Sequence, residues 1–90
     1  MSEKSIKINV YGRVQGVNYR NSAQTKARSL GIRGFARNMA DGSVYIEAEG
    51  NTEAIGAFIE WCRQGPPMAS VSKINTEETS AFGHRDFRIR

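Results

Sequence analysis

The period of the hydrophobic pattern changes along this chain of 90 residues, and the order of the changes limits the folds available to it. Residues 6–10 alternate between apolar and polar side chains, which is typical of a strand with one buried face. Residues 32–38 and 44–49 also have strand character. Asp41-Gly42 between them predicts a hairpin turn, because glycine adopts positive φ without steric cost.

Two other segments have apolar residues at helical spacing. The first runs from 19 to 30 and has polar residues on its opposite face, so we expect an amphipathic helix of about three turns. The second has a broad apolar stripe over 54–62. Asn51 or Thr52 can cap its start, and the Gly-Pro-Pro sequence at 65–67 ends it.

A weaker strand near 71–79 and a last strand over 85–90 complete the chain. We summarise the order as β-α-β-β-α-β, with four strands and two helices and no internal repeat or linker. This order predicts an α+β, ferredoxin-like fold, an antiparallel sheet with both helices on one face. The opposite face would be partly solvated. We expect a single domain over 1–90, with about residues 1–5 disordered.

Composition narrows the class of protein. Apolar residues make up 39% and charged residues 24%, which is an ordinary globular mix. No apolar run approaches the ~20 residues of a membrane span, and the polar segment 1–7 has no signal core. The single cysteine, Cys62, excludes an internal disulfide and a cysteine zinc site. We therefore expect a soluble, cytoplasmic monomer that does not bind membranes.

Net charge alone does not choose a partner. Thirteen Lys and Arg against nine Asp and Glu leave a charge of +4. That balance favours phosphates, acidic metabolites or nucleic acid as partners, but it also serves solubility alone.

The loop between the first strand and the first helix is the clearest candidate site. It contains Gly12 and Gly16, two arginines (Arg13 and Arg20) and no acidic residue. Backbone N–H groups at a helix start are unpaired and carry partial positive charge, and glycines let the backbone approach a ligand. These features describe a cradle for an anion such as phosphate. The alternative is that these glycines only allow the chain to turn before the helix, as glycines in such loops commonly do.

Four other residues have chemistry worth weighing. Asn38 ends a strand and could orient a water molecule, although asparagine also caps loops. Asp41 is better explained by its turn than as an acid. His84 is the only histidine and should be exposed, which leaves little for a metal cluster or a Ser-His-Asp triad. Cys62 falls on a helical apolar stripe and is expected in the core.

Two long motifs resemble the signatures of acylphosphatases. The first is Gly-Arg-Val-Gln-Gly-Val-x-Tyr-Arg over 12–20, and the second is Gly-Phe-Ala-Arg-Asn-x-x-Asp-Gly-x-Val over 34–44. The segments 65–71 and 87–89 are similar to that family too, so the resemblance covers nearly the whole chain.

Three positions depart from the family pattern. Asn18 replaces a usual aromatic residue, Phe35 a common Trp, and Ala36 a common Val. Position 18 keeps its backbone N–H whatever its side chain. We therefore expect altered packing or rate and the same reaction.

The resemblance implies hydrolysis of the carboxyl–phosphate bond of a small-molecule acyl phosphate, without metal or cofactor. The leaving carboxylate has a conjugate acid of pKa about 4 and needs no general acid. Arg20 matches the family's phosphate-binding arginine, and Asn38 matches its water-orienting residue. The backbone that would bind phosphate comprises Gln15, Gly16, Val17, Asn18, Tyr19 and Arg20.

Two other functions fit a small basic domain of this plan. One is RNA binding on the open sheet, but the chain has no RNP1-like aromatic string. Glu47 and Glu49 also follow Tyr45 in the same predicted strand, and their carboxylates would repel a phosphate backbone. We therefore expect no nucleic-acid partner. The other is a non-catalytic ferredoxin-like module, since a fold does not determine a function.

Overall fold

The computed structural model describes residues 2–90 and contains five strands and two helices. In chain order the elements are β1 (Glu3–Arg13), α1 (Tyr19–Ser29), β2 (Arg33–Asn38), β3 (Val44–Asn51), α2 (Thr52–Gln64), β4 (Ser70–Thr79) and β5 (Phe87–Ile89).

The strands form one sheet in the order β4-β1-β3-β2-β5. β1 pairs antiparallel with β3 and β4, and β3 pairs antiparallel with β2. Helix α1 packs on β2 and β5, and α2 packs on β1, β3 and β4. The predicted α+β, ferredoxin-like architecture with both helices on one face is confirmed.

Two details of that prediction are wrong. All five segments with predicted strand character form strands, so the summary count of four is one too few, and the sheet is mixed because β5 runs parallel to β2. The last strand occupies only 87–89 of the predicted 85–90. The physical reason is that β4 and β5 lie on opposite edges of the sheet, so residues 80–86 are used in crossing it.

Apolar side chains on the helix-facing side of the sheet make one core. Alternate residues of β1 and β3 point into it, as the period-2 pattern predicted. The buried members contributed by the helices are Tyr19, Ala23, Ala27, Ile55, Phe58 and Cys62. Burying each large side chain contributes roughly 1.5–3 kcal/mol, which makes this core the main source of stability. Cys62 is confirmed as a core residue, and burial raises the pKa of its thiol to about 12.

The helix boundaries follow the sequence signals. The Asn51 side chain caps α2 by accepting the Glu53 N–H at 2.9 Å, and the helix ends at Gln64, before Gly65. Helix α1 ends at Ser29. With 11 and 13 residues, the helices within residues 2–90 are too short and too polar to cross a bilayer.

The start of the chain is more ordered than predicted. Residues 3–5 belong to β1, and Glu3 Oε1 lies 2.8 Å from Arg33 Nη2. The Ser5 hydroxyl donates to Glu49 at 2.9 Å. The expected disorder of residues 1–5 is therefore wrong for 3–5, because these polar residues have partners in the sheet. Met1 lies outside the described residues.

Glu49 fastens the crossing segment to the open face of the sheet. This carboxylate is only 3% exposed and accepts the backbone N–H groups of Phe82 and His84 as well as the Ser5 hydroxyl. His84 Nε2 lies 2.8 Å from Glu47 Oε1. The expected exposure of His84 is therefore wrong, because its side chain is held against the sheet.

These bonds make the stability of the fold dependent on pH. Burial raises the pKa of Glu49, but the donors from His84, Ser5 and Phe82 outweigh it and lower the pKa below its usual value. A lowered folded-state pKa gives stability above the unfolded pKa of about 4.3, and this stability is lost as pH falls through the folded pKa.

We expect Glu49→Gln to lower the free energy of unfolding by about 1–3 kcal/mol at pH 7, because a neutral amide accepts these bonds less strongly. The variant should also lose part of the acid-dependent decline below about pH 4.3. Urea unfolding between pH 3 and 7 measures both effects. Glu60→Gln, at a side chain that is 78% exposed, removes the same charge and should change little. Equal behaviour of the two variants would contradict the role of Glu49.

Candidate active site

The loop between β1 and α1 is held by its apolar side chains. Val14, Val17 and Tyr19 are all buried in the core. The Tyr19 hydroxyl donates to the Cys62 carbonyl at 2.7 Å, which ties the start of α1 to the end of α2. Burial raises the pKa of Tyr19 well above its usual value, so the phenol remains a donor. The buried side chains therefore hold the loop in place, while its backbone remains at the surface.

The loop backbone curls at two positions. Gly16 has φ +74° and Asn18 has φ +66°, both in the left-handed region. Asparagine adopts positive φ more readily than aromatic residues do, so Asn18 fits this backbone conformation better than the aromatic residue usual in the family pattern. Glycine adopts positive φ without steric cost because it has no Cβ, so the conformation of Gly16 is not strained.

The N-terminus of α1 leaves its donors unpaired. No side chain caps this helix, and its first turn contains no acidic residue. The first helical bond is donated by Ser22 to the Asn18 carbonyl. Within residues 2–90, no backbone N–H from 15 to 21 donates to a protein acceptor. A curled backbone that leads into an open helix start binds anions. We call the backbone of residues 15–20 the cradle.

A cavity of about 280 Å³ adjoins the cradle. Its lining residues are Val14, Gly16, Asn18, Tyr19, Arg20, Asn21, Asn38 and Ile89. Five predicted site residues are thus brought to one cavity, from a loop, a helix and a strand. Two are not among its lining residues, because Val17 is buried and the Gln15 side chain turns to the hairpin. Only their backbone N–H groups remain candidates for binding.

Arg20 lies in the first turn of α1. Its Nη1 donates to the Arg90 carbonyl at 3.0 Å, and the Arg90 N–H donates to Ala36 at 2.9 Å. No Asp or Glu side chain among residues 2–90 forms an ion pair with Arg20. The contact with the Arg90 main-chain oxygen orients the guanidinium from the β5 end of the sheet and leaves its other N–H donors for a ligand.

Asn38 is the last residue of β2. Its Oδ1 is buried and receives no hydrogen bond from residues 2–90. Buried acceptors of this kind are rare, because each lost hydrogen bond costs free energy. Asn38 lines the cavity next to the cradle, and its amide oxygen is an acceptor without a partner among residues 2–90.

Gln15 has a role that sequence reasoning missed. Its Nε2 donates to the Met39 carbonyl at 2.8 Å and to the Ser43 carbonyl at 2.9 Å. Both acceptors belong to the hairpin that follows Asn38. The side chain thus connects the cradle loop to the segment that carries Asn38. The only sequence signal was a polar amide placed between Val14 and Gly16 in the loop.

The Asp41 carboxylate forms its hydrogen bonds within its own turn. It accepts both the N–H and the hydroxyl of Ser43, and those bonds lower the pKa of the carboxyl. Gly42 has φ +93°, as the hairpin requires. The interpretation of Asp41 as a turn residue agrees with this geometry. In the described part of the chain, no three His, Cys, Asp or Glu side chains lie close enough to share a metal ion.

Comparison with known proteins identifies the family. The acylphosphatase family model matches residues 6–89. The chain belongs to the acylphosphatase family. An acylphosphatase from Thermotoga petrophila is 45% identical over 87 residues, which is 97% of each chain.

Solved acylphosphatase structures agree over the same length. The acylphosphatase from Coxiella burnetii has a TM-score of 0.94 and 40% identity, with 98% of this chain and 93% of that chain covered. The acylphosphatase from Bacillus subtilis has a TM-score of 0.94 and 38% identity, with 97% and 98% covered. This acylphosphatase-family chain is accordingly a hydrolase.

We expect Gln15→Ala to lower kcat/KM for benzoyl phosphate by about tenfold or more, because small misplacements of a site are costly. The loss of two part-buried hydrogen bonds should also lower the free energy of unfolding by about 1–3 kcal/mol. Steady-state kinetics and urea unfolding test both effects. Gln64→Ala, at an exposed residue ending α2, is the matched control. Wild-type kinetics in Gln15→Ala would mean that the loop does not need this connection.

Proposed function

We propose that this chain hydrolyses small-molecule acyl phosphates to a carboxylate and inorganic phosphate. The cradle and Arg20 bind the phosphoryl group, and Asn38 orients the attacking water. The observation that carries the proposal is one cavity lined by both Arg20 and Asn38, next to the unpaired N–H groups of a helix start, with the Asn38 Oδ1 unpartnered among residues 2–90.

The cradle suits phosphoryl transfer because that reaction depends on positioning and on stabilising the phosphoryl oxygens. Negative charge is spread over these oxygens in the transition state. N–H groups already oriented by a fixed backbone stabilise that charge without reorganising. The buried anchors Val14, Val17 and Tyr19 supply this rigidity.

Arg20 supplies the one full positive charge at the cavity wall. A guanidinium is planar and can donate to two phosphoryl oxygens at once, which an ammonium group cannot match. Its bond to the Arg90 carbonyl uses one Nη1 donor and leaves the other donors for substrate.

Asn38 acts on the nucleophile. Its Oδ1 accepts a hydrogen bond from the water and holds the water oxygen toward phosphorus. The water oxygen forms a bond to phosphorus as the bond from phosphorus to the acyl oxygen breaks. The electron pair of the broken bond leaves on the carboxylate. One water proton passes to a phosphoryl oxygen, so no protein acid or base is required.

We also propose that the chain works as a single domain and as a cytoplasmic monomer. The only thiol, Cys62, is buried and free.

The reaction class is tested with benzoyl phosphate and p-nitrophenyl phosphate, assayed in parallel with EDTA present. We expect hydrolysis of the mixed anhydride and very little of the monoester, because only the anhydride has a carboxylate leaving group. Comparable turnover of both substrates would contradict the proposal.

We expect Arg20→Lys to reduce kcat/KM for benzoyl phosphate by roughly 10²–10³-fold, because a point charge replaces a two-donor fork. The circular dichroism spectrum should remain native. Arg63→Lys, an exposed substitution in the last turn of α2, controls for the chemical change. Near-wild-type activity of Arg20→Lys would remove Arg20 from the phosphate site.

Asn38→Ala should depress kcat by about 10²-fold or more and leave inhibition by inorganic phosphate nearly unchanged. The reason is that Asn38 contacts the nucleophile and not the phosphoryl group. Asn75→Ala, on the exposed strand β4, is the control. Parallel losses in turnover and in phosphate inhibition would show instead that Asn38 binds phosphate.

A further inference from the structure

A second cavity of about 430 Å³ runs beside α1. One wall is a stripe of α1 side chains at helical spacing, and the other is formed by the end of α2 and the turn after it. The lining residues used below are Asn18, Asn21, Thr25, Lys26, Trp61 and Pro66. We call this cavity the α1–α2 groove.

The α1–α2 groove is adjacent to the cavity at the cradle. Asn18 and Asn21 line both. Asn21 Nδ2 donates to Asn18 Oδ1 at 2.9 Å, so the two side chains form one polar border between the cavities. A molecule that is held by its phosphoryl group in the cradle and extends past this border enters the groove.

We propose that the α1–α2 groove binds the acyl group of the substrate and favours acyl groups that are flat and carry a carboxylate. This inference rests on the proposed function, because it needs the phosphoryl group in the cradle. The acyl group is joined to phosphorus through one oxygen, so it must lie at the mouth of the cradle. The groove is the concave surface that shares residues with that mouth.

The far wall offers contact for a flat apolar group. Trp61 packs against Tyr19, with ring centroids 5.4 Å apart, and against Phe58, with centroids 6.1 Å apart. These contacts hold the indole in place while it remains partly exposed to the groove. Together with Pro66 it forms a rigid apolar surface, against which an aromatic acyl group loses little conformational entropy.

Lys26 determines the charge preference. No carboxylate among residues 2–90 forms an ion pair with Lys26, and no acidic residue lines the groove. Lys26 lies eight residues after Asn18, about 12 Å along the helix axis. Helical side chains lean toward the N-terminus, so the ammonium group extends back toward the cradle. A carboxylate at the remote end of the acyl group would meet this charge, and the Thr25 hydroxyl lies on the same wall.

Kinetics with two matched substrates test the charge preference. Lys26→Met keeps the apolar stem and removes the charge. We expect it to lower kcat/KM for 4-carboxybenzoyl phosphate by about three- to fivefold, mainly through KM, as for a partly exposed ion pair. Its kcat/KM for benzoyl phosphate should stay at the wild-type value. Lys73→Met removes the same net charge on the other face of the sheet, beside Tyr11, and should alter neither substrate.

Fluorescence tests occupancy of the groove without turnover. Trp61 is the only tryptophan, so the intrinsic emission reports this wall alone. 4-Carboxyphenacylphosphonate has CH2 in place of the bridging oxygen and is not hydrolysed. It should change the Trp61 emission on titration, whereas inorganic phosphate should not, and Lys26→Met should weaken its binding about three- to fivefold.

The two proposals fail in different ways. If the wild-type chain hydrolyses neither acyl phosphate, the proposed function is wrong. If it hydrolyses both but Lys26→Met affects them equally or not at all, or if the phosphonate leaves the emission unchanged, the groove does not bind the acyl group.

Discussion

The unpaired N-terminus of α1, joined to a loop that is held from the inside, is the feature on which the rest of the site depends. Val14, Val17 and Tyr19 are buried, so their side chains leave the loop backbone no freedom to close over its own donors. Without a capping side chain or an acidic residue in the first turn, the helix start keeps its partial positive charge for a ligand. A more stable helix with an ordinary cap at position 18 would satisfy those donors and weaken the proposed anion site. The missing capping hydrogen bonds make the start of α1 less stable, and the packing of the core beneath the loop offsets this loss.

Every other part of the site is attached to this loop through the sheet. Gln15 connects the loop to the β2–β3 hairpin, which carries Asn38. Arg20 is oriented by the Arg90 carbonyl, and Arg90 is in turn bonded to Ala36 of β2. The short strand β5 is therefore more than an edge of the sheet. Its parallel pairing with β2 places the Arg90 carbonyl where the guanidinium can donate to it. The relative position of charge and amide is thus set by hydrogen bonds between three separate segments of chain, residues 15–20, residues 36–43 and Arg90.

The open face of the sheet has a different structural task. Residues 80–86 cross it, and Glu49 holds them through backbone donors. The aromatic side chains on this face already contact other residues. The Arg90 guanidinium lies 4.3 Å from the centre of the Phe35 ring, and the Tyr45 hydroxyl donates to Glu47 at 2.9 Å. This arrangement differs from the bare aromatic platform with which RNA-recognition modules stack bases. The geometry therefore favours the enzymatic interpretation of this small basic domain over the alternative of RNA binding.

The elements and the fold class could be predicted from the sequence, which also pointed to Arg20 and Asn38 as the two side chains proposed for the chemistry. Period-2 and period-3.6 patterns, the Asn51 cap and the Asp41-Gly42 turn are local features, and local physics decides them. Arg20 and Asn38 could be named because they lie in motifs that resemble a known family. The parallel pairing of β5 with β2, the partial burial of His84, the hydrogen bonds of Gln15 and the unpartnered Asn38 Oδ1 could not be predicted. Each depends on which distant segments meet, and side-chain contacts across 24 to 37 residues of chain leave no periodic signal in the sequence. Only the tertiary structure decides such contacts, because they form when the whole core closes.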